Sequence, residues 1–422
     1  MPHRTALALL LAALAAPSLA AEAEPKPAPP AGARAPPAAP PAGPAEADEP
    51  VTVVDLTLPE YLGHAVGLRP LPVPGRAQDE RFHWTVLPFV VLNPLMGGGG
   101  GAATIAGFRL GPRETTRFSS LEASAFLTER GQRGISLRSD VRFPDDDWNL
   151  VGDLGAGQFP NPAWGLGAAT PESARVVVHR TQVTVHETLY RRLASRLYAG
   201  LGYAFDDFHA IAPDGPILDP SGQPYPVGTS GRSITSSLAL HLLWDDRDSP
   251  AAPTRGSYLM ARLRSSHSLL GADDEWRSLY LDARTYLRVP GPRAVLALWG
   301  VAWSAFGRPP YLLLPSIGAD PDHRTGRGLV EGRYTGKDLA YAEAEYRFHL
   351  WEFLSAAVGA SATAVSDRSP ETPRAGFGAV HPSFVVGVRA LLSSASQARL
   401  AFDVALSPGR GVAFYLAANE AF

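Results

Sequence analysis

The side chains with the most chemical potential in this 422-residue chain are arginines set among carboxylates. One group is Trp244-Asp-Asp-Arg-Asp-Ser-Pro250, followed by Pro253-Thr-Arg-Gly-Ser257. Within it Asp246, Arg247 and Asp248 can pair locally, while Pro253 and Gly256 set the backbone of a polar turn. A second group, Gly326-Arg-Gly-Leu329 with Glu331-Gly-Arg-Tyr334, places Arg327 between two glycines. A third is a set of charges spaced by two: Asp282 with Arg284, and Glu343, Glu345 and Arg347. All three suit ion pairing, not covalent chemistry. There is no Gly-x-Ser-x-Gly elbow, no His-Glu-x-x-His and no Gly-Lys-Ser/Thr after Gly97 to Gly101. That glycine run suits a tight hairpin. His179, His186, His209 and His241 have no spacing that favours a catalytic set. The expectation is a protein that is not an enzyme and that needs no metal or cofactor.

A spacing of two is the period of a strand, so the elements that carry these charges come next. In Trp276 to Val289, Leu279, Leu281, Ala283, Leu287 and Val289 share one face; Tyr280, Asp282, Arg284, Tyr286 and Arg288 share the other. Asp338 to Leu350 sets Ala340, Ala342, Ala344, Tyr346, Phe348 and Leu350 against Tyr341, Glu343, Glu345, Arg347 and His349. Arg399 to Leu406 opposes Leu400, Phe402, Val404 and Leu406 to Arg399 and Asp403. A soluble sandwich rarely buries faces like the charged ones. A transmembrane barrel does, with strands of about 9–11 residues that turn aliphatics to lipid and charges to the lumen.

The same pattern recurs near 84–92, 98–110, 118–128, 133–142, 149–159, 174–190, 195–206 and 233–244. It continues near 256–266, 276–289, 294–306, 338–349, 354–365, 381–392, 397–407 and 411–422. The fold class is therefore all-β, a transmembrane antiparallel barrel of about sixteen strands. Long connections, 160–172, 207–232, 307–336 and 367–380, follow odd-numbered strands, whereas 191–194, 290–293 and 393–397 are tight. This parity puts both ends of the barrel in the periplasm.

Outside the barrel the chain reads as export apparatus. Residues 1–20 combine one arginine, an apolar run from Ala6 to Ala16 and small residues at Ser18-Leu19-Ala20, the order of a cleavable signal peptide. Residues 21–50 are nearly all Ala, Pro, Glu and Gly, a disordered linker. Residues 51–81, with Tyr61, Leu62 and Val66, suit a short periplasmic segment or plug before the barrel at 82–422. Cysteine is absent, net charge is −3 and no basic tract calls for nucleic acid. Outer-membrane lipid and lipopolysaccharide are the surroundings such a barrel meets.

The turn around Asp246–Gly256 is similar to the Asp-x-Arg-Asp…Pro-x-x-Gly turn of the BamA/TamA superfamily of outer-membrane assembly barrels, also called bacterial surface antigens. Gly326, Arg327, Gly328 and Leu329, in the longest loop, resemble the Arg-Gly-aromatic tip of that family's sixth extracellular loop, with Leu329 in place of the aromatic. The resemblance implies that Arg327 faces the lumen; Glu343, Glu345 and Asp282 face the right way to meet it. Trp164-Gly-Leu-Gly167 resembles a loop of short family members. Two departures stand out. The aromatic-x-Asp-x-Gly run that meets the loop arginine in the family reads Val358-Gly-Ala-Ser-Ala362 here, and residues 21–81 leave no room for a POTRA repeat. The chain ends on Phe422, which resembles the carboxyl-terminal signal read by barrel-assembly machinery, with Glu420 as an exception to its apolar preference.

The resemblance implies work in outer-membrane biogenesis or transport, with a separate periplasmic partner in place of POTRA repeats. Pro88 in the first strand cannot donate to a ladder, which weakens a seam closed between the first and last strands. A passive channel or structural barrel is the competing reading.

Overall fold

The computed structural model describes residues 82–422 apart from 94–96, 113, 251, 352, 369–375, 394–397, 410, 419 and 421. The expected signal peptide (1–20), linker (21–50) and periplasmic segment or plug (51–81) lie outside the described residues.

The strands are β1 (Phe82–Asn93), β2 (Gly97–Phe108), β3 (Ser119–Thr128), β4 (Arg133–Arg142), β5 (Trp148–Gln158), β6 (Asn161–Ala163), β7 (Val176–Ala194), β8 (Leu197–Pro213) and β9 (Gly231–Asp245). They continue as β10 (Gly256–Ser266), β11 (Trp276–Arg288), β12 (Val295–Gly307), β13 (Asp338–Trp351), β14 (Leu354–Ser366), β15 (Phe377–Ser393), β16 (Ala398–Ser407) and β17 (Gly411–Ala418). Each pairs antiparallel with its sequence neighbour, except that β5 and β6 both pair with β7. Pro160, which has no N–H to offer a ladder, interrupts the line, and Phe159 bridges the gap by donating to the Arg180 carbonyl at 2.9 Å. With β6 counted as the far end of β5, the seventeen strands form the sixteen staves that the period-two pattern predicts.

The barrel is inside-out relative to a soluble domain. On β9 the outward Leu240 is 60% exposed, whereas the inward Glu345 of β13 is 0% exposed. Register explains the consistency of the two faces. Leu281 lies opposite Ala261 and Ala302, and Ala342 opposite Gly300 and Ala362, so outward residues meet only outward ones around the wall.

Two apolar clusters occupy the interior. Tyr280, Tyr286, Trp299, Trp303 and Tyr341 fill the lumen along β11–β13 and pack with Leu329, Ile317 and Phe422. Closer to the long-loop end, Leu166, Ile217, Tyr225, Val227, Tyr311 and Leu314 bring the connections after β6, β8 and β12 together as a roof. Tyr225 donates to the Pro309 carbonyl at 2.7 Å, and Leu166 N–H to the Leu218 carbonyl at 2.9 Å.

One strand differs from the sequence expectation. The alternation predicts a last strand over 411–422 with Phe422 facing lipid beside Val412 and Phe414, but β17 ends at Ala418. Glu420 and Phe422 lie in the lumen, 3% exposed each. The reason is electrostatic: Glu420 accepts from Arg389 at 3.0 Å and Arg399 at 3.1 Å, pairs that an outward carboxylate would forfeit to hydrocarbon. Phe422 then stacks on Trp299, with centroids 5.0 Å apart.

The lipid-facing assignment is checked by Leu240→Arg. The substitution is expected to lower folding stability in liposomes by about 2–4 kcal/mol, read from a urea titration of the heat-modifiable band. Unchanged stability would mean that Leu240 does not face the bilayer core.

Candidate functional site

The loop between β12 and β13, residues 308–337, folds back into the lumen because its own turns leave it no extended path. The Asp320 carboxylate accepts from the Thr325 N–H at 2.9 Å, the Thr325 hydroxyl at 2.5 Å and the Arg324 N–H at 3.2 Å. Gly318 N–H donates to the Thr325 hydroxyl at 3.0 Å, which tightens the same turn. Gly326 and Gly328 then take φ of +76° and +93°, the left-handed region that a side chain disfavours. A Cβ on Gly326 would also overlap Ile317. The two glycines thus present Arg327 as a fingertip.

Arg327 reaches a cage of three carboxylates. Its Nη1 donates to Asp403 at 2.8 Å and its Nη2 to Glu345 at 2.5 Å and to Glu343. The backbone is held as well: the Arg327 carbonyl accepts from the Ser383 hydroxyl, and Gly328 N–H donates to the Tyr415 hydroxyl at 2.9 Å. Glu343 and Glu345 come from β13, Ser383 from β15, Asp403 from β16 and Tyr415 from β17. One loop tip therefore fastens the strands of the carboxyl-terminal quarter of the wall. Leu329, in the aromatic position of the motif, is buried in the lumen cluster.

The cage is charge-balanced by its surroundings. Glu345 also accepts from Arg347 at 2.7 Å, and Asp403 from Arg389 at 2.5 Å. Arg347 donates to the Phe422 carbonyl at 2.9 Å, and Arg324 to the Glu420 carbonyl at 3.1 Å. Four guanidinium groups (Arg327, Arg347, Arg389, Arg399) thereby meet four carboxylates (Glu343, Glu345, Asp403, Glu420), and the chain end is fastened by the same network. Burial alone would disfavour each charge, and mutual pairing offsets that cost.

Asp282, read from the sequence as a partner for Arg327, belongs elsewhere. It binds Arg284 through both oxygens, at 2.9 and 2.6 Å, and accepts from the Trp299 indole at 3.0 Å. A neighbour two residues along the same face captures it before a loop can. Arg284 also meets Asp322 of the loop at 3.1 Å, so this pair still touches the loop from β11. Asp403 was the missed residue, although its inward facing is visible in the alternation of Arg399 to Leu406.

The second motif closes the turn between β9 and β10. Arg247 binds Asp245 through both carboxylate oxygens, at 2.8 and 3.0 Å, and lies over the Tyr258 ring at 4.6 Å. Asp248 accepts from the Thr254 N–H at 2.9 Å and its hydroxyl at 2.5 Å, and Asp246 accepts from Arg196 of the preceding turn at 2.9 Å. Burial works to raise the Asp248 pKa, but these hydrogen bonds prevail and hold it below the ordinary value. Gly256 has φ +99° and packs against Asp246 and Arg247 backbone; Pro253 is buried beside it.

Pro88 lies in β1 opposite Ala102. Strands β1 and β17 are neighbours, yet no ladder joins them among the described residues. Trp164, from the Trp-Gly-x-Gly segment, lies under Arg333, which donates to the Thr170 hydroxyl at 2.7 Å.

Lipid-facing aliphatics, a lumen-seated arginine loop and charged short turns together define an outer-membrane β-barrel. Residues 120–305 match the Omp85 superfamily domain. In fold the chain is similar to BamA from Haemophilus ducreyi lacking POTRA domains 1–3 (TM-score 0.53, 14% identity, covering 80% of this chain and 70% of that one). It is also similar to CdiB from Escherichia coli (TM-score 0.51, 12% identity, covering 80% of this chain and 63% of that one). The chain thus spans less than two thirds of that CdiB. No curated protein matches it in sequence.

Removal of the fingertip charge tests the cage. Arg327→Ala leaves three inward carboxylates short of a partner, and a loss of about 3–5 kcal/mol is expected from thermal unfolding in detergent. Arg327→Lys should recover little of it, because an ammonium lacks the planar fork that spans three acceptors. Wild-type stability in both variants would show that the cage contributes nothing.

Proposed function

We propose that the protein acts in the assembly or translocation of other outer-membrane proteins, within the coarser role in outer-membrane biogenesis or transport that the match to the Omp85 superfamily domain supports. The observation that carries the reading is the Arg327 cage, which joins a lumen-filling loop to β13, β15, β16 and β17. A diffusion pore has no use for a loop roofed by Tyr225, Tyr311 and Leu314 and fastened in its lumen. An assembly factor does have a use for one that braces the last strands while no ladder joins β1 and β17 among the described residues. Pro88 supports the same view, since it removes one N–H donor from β1. We read the activity as non-enzymatic, with lipid and lipopolysaccharide around the wall. Barrel-assembly machinery would insert the protein itself, and a separate periplasmic protein would deliver clients.

The test pairs two measurements on purified protein in liposomes. Refolding of a urea-unfolded outer-membrane barrel should be accelerated over empty liposomes, and planar-bilayer conductance should be low and intermittent. Steady conductance with no acceleration of refolding would replace this reading with that of a passive channel.

A further inference from the structure

Register places Glu187 on the outer wall. It pairs with Gly152 of β5 and Tyr203 of β8, in the same outward row as Leu189, which pairs with Leu150 and Leu201. Leu201 is 59% exposed, so this row faces lipid. Four residues toward the short-turn end, Arg191 lies over the Trp148 ring at 5.0 Å and pairs with Asp147 at 2.9 Å, an interfacial girdle. At about 3.3 Å per residue and a tilt near 40°, Glu187 is roughly 10 Å inside the apolar band.

The carboxylate has no hydrogen bond or ion pair among the described residues, and its Oε2 is buried without a partner. It lies in a notch that exists because residue 152 is glycine: a Cβ there would sit 2.6 Å from the carboxyl carbon. The neighbouring hydroxyl of Tyr203 is already engaged with Ser236 at 3.0 Å. An ionisable group at this depth is costly to leave facing hydrocarbon and ordinarily has a partner.

Beside the notch the wall is unusually low. Ala102, Ala123, Ala125 and Ala156 floor a shallow apolar concavity of about 570 Å³ bordered by Ile135 and Leu137. Small side chains allow two membrane surfaces to approach closely, and a polar group within such a surface fixes the contact. The outward row offers no mid-band cation for the carboxyl, so the partner must bring a hydrogen-bonding group of its own to the same depth.

We propose that this wall, β2 to β8, is a self-association surface on which a second copy of the chain seats, with the two Glu187 carboxyls paired. Symmetry supplies the match. A two-fold axis along the membrane normal keeps every residue level with its counterpart, and an axis passing beside β7 sets Glu187 against Glu187 of the partner subunit. Carboxyls that carry a proton donate to each other's carbonyl oxygen, which satisfies both where water is absent. This inference does not depend on the assembly activity proposed above.

The chain has no cysteine, so one introduced thiol reports the contact cleanly. Leu189→Cys, two residues from Glu187 on the same face, is treated with a short bismaleimide in liposomes; Ala360→Cys, outward on β14, is the control. The expected result is a covalent dimer with the first variant only. Adding Glu187→Leu should reduce the dimer at least about tenfold, a 1.4 kcal/mol effect. Adding Glu187→Gln, whose amides pair with each other, should retain it. Leucine at this site suits a lipid-facing strand, so heat-modifiability will show the variant folded. Monomer alone with Leu189→Cys, equal crosslinking of both cysteine variants, or a dimer indifferent to Glu187→Leu would each overturn the proposal.

Discussion

The contact on which most of the interior depends is the guanidinium of Arg327 among Glu343, Glu345 and Asp403. Three carboxylates that face one another inside a protein repel, and a cation at their centre offsets both that repulsion and the cost of burial. Strand arginines reach only part of the trio, Arg347 at Glu345 and Arg389 at Asp403, whereas Arg327 meets all three. A loop can do so provided its tip bends sharply, and Gly326 and Gly328 provide the bend. The loop then drags its own apolar side chains inward: Ile317, Leu329 and Tyr334 join the aromatic cluster lining β11–β13. Electrostatics thus decides where the loop ends, and the hydrophobic effect keeps the rest of it there.

The same network reaches the end of the chain. Arg347 and Arg389 each touch the cage on one side and the terminal residues on the other, through Glu345 and the Phe422 carbonyl, and through Asp403 and Glu420. Tyr415 of β17 contacts the loop directly at Gly328. Any motion of the loop out of the lumen therefore changes the support of the last strand and of the residues that follow it. That strand borders the seam where no ladder with β1 is described. Loop and seam are two ends of one set of contacts.

Much of this was legible in the sequence because a membrane barrel writes its two faces in alternation. Leu279, Leu281 and Ala283 against Tyr280, Asp282 and Arg284 fix the facing of β11 without further information. Facing, however, is not partnership. Glu343 and Glu345 face inward and meet Arg327; Asp282 also faces inward and meets Arg284, two residues away on its own strand. The distinction rests on which side chain lies within reach in three dimensions, and the Arg327–Asp403 contact spans 76 residues of sequence. At the carboxyl terminus the alternation misleads for a related reason. Period two carries Phe422 outward only if the strand continues, and the attraction of Glu420 to Arg389 and Arg399 ends it first. Pro160 hides the division of β5 and β6 less well, since a residue without an N–H is a visible interruption.

The wall itself is built unequally. From β11 to β17 the interior is filled with aromatic rings, paired charges and the inserted loop, and the outward face is apolar. From β2 to β5 the inward positions include small residues such as Ser124 and Ser136, which bond to each other at 2.7 Å, and Gly155. The loop therefore braces one side of the barrel and leaves the other lightly supported from within. A thin wall has to find lateral support elsewhere or remain deformable. Its outer surface carries the alanine floor and the Glu187 notch, features that a strand facing only lipid does not require. The asymmetry inside and the polar irregularity outside fall on overlapping strands, which is the arrangement expected if a neighbour in the membrane stiffens from outside what the loop does not stiffen from within.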